Sequence, residues 1–355
     1  MPSIMVYKIW NRFQINETLN VIMKPPTIRD VAKLAGVGVG TVSRVLNDSS
    51  QVREETRQKV LAAIKVLNFS PNLAARQLSS GKTGTIGVVT PFLTFPSYVD
   101  RLTGIQDVLD ESEYDLVLYS IRSVEQLQRR LQILIGENRV DGLIILSLPF
   151  SEDKLRAINP TFPIIAVDND VMNYYPHIII DNVEGGELAT NYLIERGHQF
   201  IGFIGDRINS AFGFTSTEKR FEGYERALAQ ADLPFVEEWY WVGEHSHEAA
   251  RQNARRILSL PERPTAFFVA IDTLAFGVLT AAQDLGLRVP EDVAVIGFDD
   301  VVAASYMNLT TIRQGLVESG RLSVQQMLEW LEQGQYPYDN KKLKLPLEIV
   351  ERATV

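Results

Sequence analysis

Residues Thr27–Asn47 read TIRDVAKLAGVGVGTVSRVLN, and this stretch decides how the rest of the chain is organised. Thr27 stands where a helix cap is needed, and Asp30 three residues on makes a variant of the capping box. Val31, Leu34 and Ala35 then recur at helical spacing as a buried stripe, and Gly36 supplies the left-handed residue that ends the helix. Val37 packs in the turn. Gly38 is a tolerable cap for a second helix, in which Val42, Val45 and Leu46 face inward. That leaves Val39, Gly40, Ser43, Arg44 and Asn47 on the opposite face, a small and basic surface suited to the major groove of DNA. Arg44 can pair with guanine and Val39 can touch a thymine methyl, whereas Gly40 admits close approach and reads nothing. A third helix over 54–67 shows Val60, Leu61, Ile64 and Leu67 as its apolar face, with Pro71 beyond its end.

Charge separates this head from the body. Residues 24–82 hold ten Lys or Arg against four acids, and residues 1–22 add +1, so residues 83–355 carry −16 of a whole-chain −9. A basic head on an acidic body is the footprint of a DNA reader whose body is kept off the phosphates. The 355 residues allow two or three domains, and 45% hydrophobic content supports a large core. There are no cysteines, which excludes disulfides and thiolate metal sites. No apolar run reaches the roughly 18 residues of a membrane span. Residues 1–22 lack the pattern of a secretory signal. They read either as an ordered extension or as a non-native or disordered one preceding a start at Met23.

Taken singly, each feature of the head fits a small helical domain with a solvated basic face. Together, TIRDVAKLAGV, TVSRVLN and VREETRQKVLAAIKVLNFSPN resemble the lactose-repressor (LacI/GalR) family. The resemblance implies a helix-turn-helix domain over 23–70, with DNA contacts from Thr27, Ile28, Val39, Gly40, Thr41, Ser43, Arg44 and Asn47. It continues through Pro71–Leu78, which in the family is a hinge helix within a 71–83 hinge and linker. There Asn72 and Ala75 meet the minor groove and the partner helix, and Leu78 wedges between central base pairs. Eight isolated residues cannot hold a helix in water, so ordering should depend on DNA and a partner chain. Two glycine-rich decoys carry nothing. Ser80–Thr83 lacks the first glycine of a phosphate loop, and Gly36–Gly40 has the wrong spacing for a dinucleotide loop.

From 84 to 355, apolar strand-like runs alternate with helical segments: 85–90, 115–120, 142–146, 164–167, 178–180, 201–205, 239–242, 266–270 and 293–298. This pattern means α/β architecture with parallel sheets, and too many strands for one, hence two doubly wound subdomains. The family's core is similar to periplasmic sugar-binding proteins. By that resemblance, subdomain one covers about 84–181 and 312–338, and subdomain two about 182–310 and 339–355.

Ligands of such sheets lie beyond the carboxyl ends of the strands. By that rule the expected effector residues are Phe95, Tyr98, Asp168, Phe212, Asp272 and Asp299, with Phe214 as a further ring, and the family resemblance adds Arg220. Carboxylates and an arginine take hydroxyls in pairs while the rings stack on a sugar. Arg220 within TEKRFEGY and Asp299 within VIGFDD match family elements. Ile271-Asp272 stands where many relatives have Asn-Asp, and Asp272 reads equally as a helix cap or a ligand contact. His245-Ser246-His247 has no third ligand nearby, and Ser246 reads as a helix cap. No metal, cofactor or membrane contact is expected.

The expected function is that of a cytoplasmic, homodimeric, non-enzymatic regulator, most often a repressor. It would bind near-palindromic double-stranded operator DNA under control of a small-molecule effector, either a carbohydrate or a non-sugar such as a nucleobase. A solute-binding transport component would share the core but not the basic head. A glycosidase built on Asp272 and Asp299 would need a matched carboxylate pair.

Overall fold

The computed structural model describes residues 26–46, 49–69, 81–148, 150, 152–158, 160–169, 174–207, 212, 214–339 and 341–355. The chain divides into two compact units, the first ending at Gly81 and the second running from Lys82 to Val355.

Among its described residues the first unit, the head, holds three helices: α1 (Ile28–Ala35), α2 (Val39–Leu46) and α3 (Glu54–Leu67). The Asp30 carboxylate accepts from both the backbone N–H and the hydroxyl of Thr27, at 2.8 and 2.7 Å. Gly36 ends α1 with φ 67°, and Asn68 ends α3 with φ 47°. The core is Val31, Ala32, Val42, Val45, Val60 and Ala63. Leu34 and Leu61, expected inside, are 52% and 45% exposed. The three short helices close on the small side chains of Ala32 and Ala63, which rotates both leucines to the flanks at 100° per residue. Asn47, Asn72, Ala75 and Leu78 lie outside the described residues, as do 1–25.

The second unit holds two six-stranded sheets. In chain order its elements are β1 (Thr85–Thr90), α4 (Pro96–Leu109), β2 (Asp115–Ser120), α5 (Val124–Gly136), β3 (Gly142–Leu146), α6 (Glu152–Ile158), β4 (Ile164–Val167), β5 (His177–Ile179) and α7 (Asn182–Glu195). There follow β6 (Ile201–Asp206), α8 (Ser216–Gln230), β7 (Tyr240–Gly243), α9 (His247–Leu258), β8 (Ala266–Val269), α10 (Asp272–Asp284), β9 (Ala294–Asp299) and α11 (Val302–Tyr306). Last come β10 (Thr310–Arg313), α12 (Leu316–Gln333), β11 (Lys342–Lys344) and β12 (Glu348–Val350). The sheet orders are β11-β5-β4-β3-β1-β2 and β12-β10-β9-β8-β6-β7. Every pairing is parallel except β10 with β12. The central strands are buried on both faces, as parallel sheets covered by helices require.

The strands correct two expected boundaries. β10 stays in the second sheet through Arg313, so the crossing falls at Gln314–Gly315 rather than at 311. β11 pairs with β5, so residues 342–344 belong to the first subdomain and the last crossing lies at 345–347. The chain crosses early only if a strand's edge partner is ignored. Lys342–Lys344 joins the first sheet because β5 otherwise presents an open edge.

Two helix crossings are closed by glycine. At Gly186 in α7 a Cβ would stand 2.0 Å from the Arg220 carbonyl oxygen, and at Gly320 in α12 one would stand 2.0 Å from that of Arg101. Backbone so close leaves no room for any side chain and fixes where each arginine starts. Gly186→Ala should therefore lower stability by about 3 kcal/mol, because the clash is with backbone and no rotamer relieves it. Denaturant unfolding checks this; an unchanged midpoint would contradict the close crossing.

Candidate functional site

The two subdomains meet over a string of charged and polar side chains, all buried but the half-buried Asp168. Arg101, on α4, is 4% exposed and reaches Asp168 at 3.1 Å through Nη2. The same nitrogen donates to Gln314 Oε1 at 3.3 Å. Gln314 Nε2 in turn donates to Asp299, at the end of β9. Arg220, on α8, lies 3.6 Å from Asp299 and donates from Nε to Asn182 Oδ1 at 2.9 Å and from Nη1 to the Ala270 carbonyl at 2.6 Å. Its guanidinium also stacks on Phe298, 3.6 Å from the ring centroid. Asp168 and Asp299 both hold positive φ, 58° and 125°, so each carboxylate is turned by a strained backbone at a strand end.

Burial drives the protonation behaviour here. It raises Asp299 to about 6, with Arg220 and Arg101 pulling the other way. Burial likewise pushes the Tyr98 hydroxyl up, opposed by its hydrogen bond with Ser147. The Ser147 hydroxyl itself donates to Asp168 at 2.8 Å.

Aromatic rings wall the same region. Phe95 stacks on Phe92 at 4.4 Å and on His245 at 4.2 Å, the second contact joining the two subdomains. His245 Nδ1 lies 2.8 Å from Asp206, whose other oxygen accepts from Thr217 at 2.5 Å. Phe212 is buried against first-subdomain residues such as Val89, Ile121 and Tyr175, with Phe92 and Phe214 beside it.

The structure thus gathers Phe95, Tyr98, Asp168, Arg220 and Asp299. Asp272 is not with them. It is fully buried as the first residue of α10, whose cap is Ile271, and its carboxylate accepts from Thr311 at 2.6 Å and from the Val301 N–H at 3.0 Å. Burial, then Asp299, raises its pKa well above the ordinary value. It is a brace between α10, β10 and the start of α11, and not the helix cap, which is Ile271. The sequence does not single out Arg101, Gln314, Asp206 or His245 as effector contacts. Asp206 does fall in the stretch 205–214 that follows a strand-like run, and His245 carries a signal only as a possible metal ligand. Ser246 caps α9, accepting from the Ala249 N–H, and among the described residues no cluster of acids and histidines has metal-holding geometry.

In the head, Val39, Gly40 and Arg44 are exposed, and Thr41 and Ser43 are half-buried on the same helix. Arg44 Nε donates to the Gly40 carbonyl at 3.2 Å, which lays the guanidinium along the exposed face. Thr27 is exposed at the mouth of α1, while Ile28 is half-buried against the head's core.

Residues 27–72 match the model of bacterial regulatory proteins of the lacI family, and residues 190–355 match a periplasmic binding protein-like domain. The HTH-type transcriptional repressor PurR of Actinobacillus pleuropneumoniae serotype 3 (strain JL03) is 33% identical over 334 residues, covering 93% of this chain and 98% of its own. The chain belongs to the lacI family. It is a DNA-binding transcriptional repressor of that family. Among solved structures, the lac repressor dimer bound to operator and the anti-inducer ONPF is 31% identical with a TM-score of 0.80, covering 93% of this chain and 99% of that one. A complex of the transcriptional regulator CelR with cellobiose is 30% identical with a TM-score of 0.64, covering 93% and 100%. The relatives are regulators, not enzymes, and no helix among the described residues is long and apolar enough to cross a membrane.

For a lacI-family head, Arg44→Ala should cost on the order of 1–3 kcal/mol of operator discrimination. Equal weakening on operator and random DNA, measured by fluorescence anisotropy, would contradict base reading. Asp299 makes a pH test available. It is ionised above about 6, and protonation discharges its pairing with Arg220. Effector affinity should fall about tenfold from pH 7 to pH 5, as the ionised fraction falls. Calorimetry on Asp299→Asn should give weak binding with a flat profile.

Proposed function

We propose that this repressor is a homodimer that reads a near-palindromic operator under control of a carbohydrate bound between its subdomains. One observation carries the effector reading: two arginine–carboxylate pairs, Arg101–Asp168 and Arg220–Asp299, converge from opposite subdomains beside the Phe95–His245 stack. Carboxylate and guanidinium take vicinal hydroxyls in pairs, and flat rings cover the apolar face of a pyranose. Asp168, Arg220, Asp299, Phe95 and Tyr98 are the proposed contacts, joined by Arg101 and His245. Phe212 supports the wall from behind. The cellobiose held by CelR supports the same reading.

The dimer reading is supported by apolar side chains left in water. Val99 on α4, Leu118 on β2, and Val302, Tyr306 and Met307 at α11 are exposed, Tyr306 to 78%. The Asp100 carboxylate takes a backbone hydrogen bond from Val302, so α4 and α11 are neighbours and the strip spans both subdomains. Two heads, each reading one half-site with Val39, Gly40, Thr41, Ser43, Arg44 and Asn47 and anchored by Thr27 and Ile28, fit a palindrome. Asn72, Ala75 and Leu78 are the proposed contacts at its centre, where the DNA would bend. The protein works in the cytoplasm, with no cofactor and no turnover.

Thermal-shift screening against monosaccharides, disaccharides and nucleobases tests the effector. A sugar should raise the melting temperature in a saturable way, by mass action on the folded state. Saturable stabilisation by a nucleobase and by no sugar would replace the carbohydrate with a planar base lying on the Phe95–His245 platform.

A further inference from the structure

A pocket of about 630 Å³ opens on the first subdomain between α6, the start of β5 and the carboxyl end of α12. It shares no residue with the string that runs from Asp168 to Arg220. Its walls are aromatic: Phe162, Tyr174, Tyr175, Trp330 and Tyr336. Trp330 meets Tyr336 edge-on at 5.2 Å, and Tyr174 meets Tyr175 in the same way at 5.2 Å. Tyr174 is 48% exposed, an aromatic face held open to water at the rim.

Two cations lean on that one ring. The Arg156 guanidinium carbon lies 4.5 Å from its centroid and Lys341 Nζ lies 4.8 Å away, with Lys341 also donating to the Tyr174 carbonyl at 2.9 Å. Asp153 also lines the pocket, while Glu152 accepts from the backbone N–H groups of Tyr174 and Tyr175 at 2.8 and 3.2 Å. Neither Arg156 nor Lys341 has an ion pair with a carboxylate among the described residues. Two positive charges against one lining carboxylate, on aromatic walls, complement a flat anion. A guanidinium offers paired donors to phosphate or carboxylate, and contact with an aromatic face keeps it poorly hydrated.

We propose that this pocket is a second ligand site, taking a small ring compound that carries one phosphate monoester or carboxylate group. The ring lies against Trp330 and Tyr336, and the anion is held by Arg156 and Lys341. Lys341 precedes β11, whose Lys344 bridges to Asp181 and Glu184 at the first crossing between subdomains. A ligand here therefore grips the connections without entering the cleft.

Titration of the full chain with phenyl phosphate, benzoate and phenol, followed by tryptophan fluorescence, tests this. Phenyl phosphate, benzoate or both should give a saturable change, and phenol should bind at least about tenfold more weakly, a difference of about 1.4 kcal/mol. The two anions decide which group is taken. The double variant R156A/K341A should lose the anion's affinity about tenfold while melting like the parent, and the isosteric Asp299→Asn in the cleft should keep it. Trp330→Phe should abolish the fluorescence change while calorimetry still detects binding. No saturable binding up to about 10 mM, equal binding of phenol, or loss in a folded Asp299→Asn would each overturn the proposal.

Discussion

The polar string Asp168–Arg101–Gln314–Asp299–Arg220 is the constraint on which the second unit depends. An isolated charge taken from water costs several kcal/mol, and removing one partner of a buried pair leaves that cost uncompensated. The arginines therefore cannot sit anywhere but against their carboxylates. Each is delivered there by a helix crossing that glycine keeps closed, α4 with α12 at Gly104 and Gly320, and α7 with α8 at Gly186 and Gly223. Gln314 lies on one crossing of the chain between subdomains and Asn182 directly follows another. The polar string and the covalent connections thus converge, so a group bound among them acts on the relation between the subdomains.

This geometry suits control by differential affinity. A ligand that satisfies the string in one arrangement of the subdomains better than in another shifts the population between them by that difference and no more. Arg101 and Arg220 face each other from different subdomains, so a ligand touching both discriminates between arrangements. On the proposed DNA side the recognition surface is sparse. Gly40 can read nothing by hydrogen bonding and Val39 at most a methyl, so in the proposed complex more of the specificity is assigned to Arg44, Leu78 and the deformability of the operator centre than to the rest of α2.

The longer strands were legible because each is built around an apolar run, and β1, β2, β3 and β4 coincide with 85–90, 115–120, 142–146 and 164–167. β10, β11 and β12 escaped because they are three or four residues long and mix charge with apolar side chains, as in Lys342–Lys344. The capped helix, the left-handed Gly36 and the inward faces of Val42 and Val45 were legible from spacing. Leu34 and Leu61 were not, since hydrophobicity alone does not say which flank small residues such as Ala32 and Ala63 will close. Within the site, Asp299 and Arg220 were found as motif residues. Arg101 and Gln314 stand 213 positions apart and meet only through tertiary packing. Asp272 shows the opposite failure: an acid at a helix start reads the same whether it faces a ligand or, as here, braces Thr311 and Val301 from within.

The most direct measurement of the central claim is thermodynamic reciprocity between cleft and head. Operator affinity is measured by anisotropy with and without saturating effector, and effector affinity by calorimetry with and without operator. Coupling through the inter-subdomain string requires both ratios to be the same and to differ from one by roughly 5- to 150-fold. Operator affinity that is unchanged by a ligand known to occupy the cleft would contradict it.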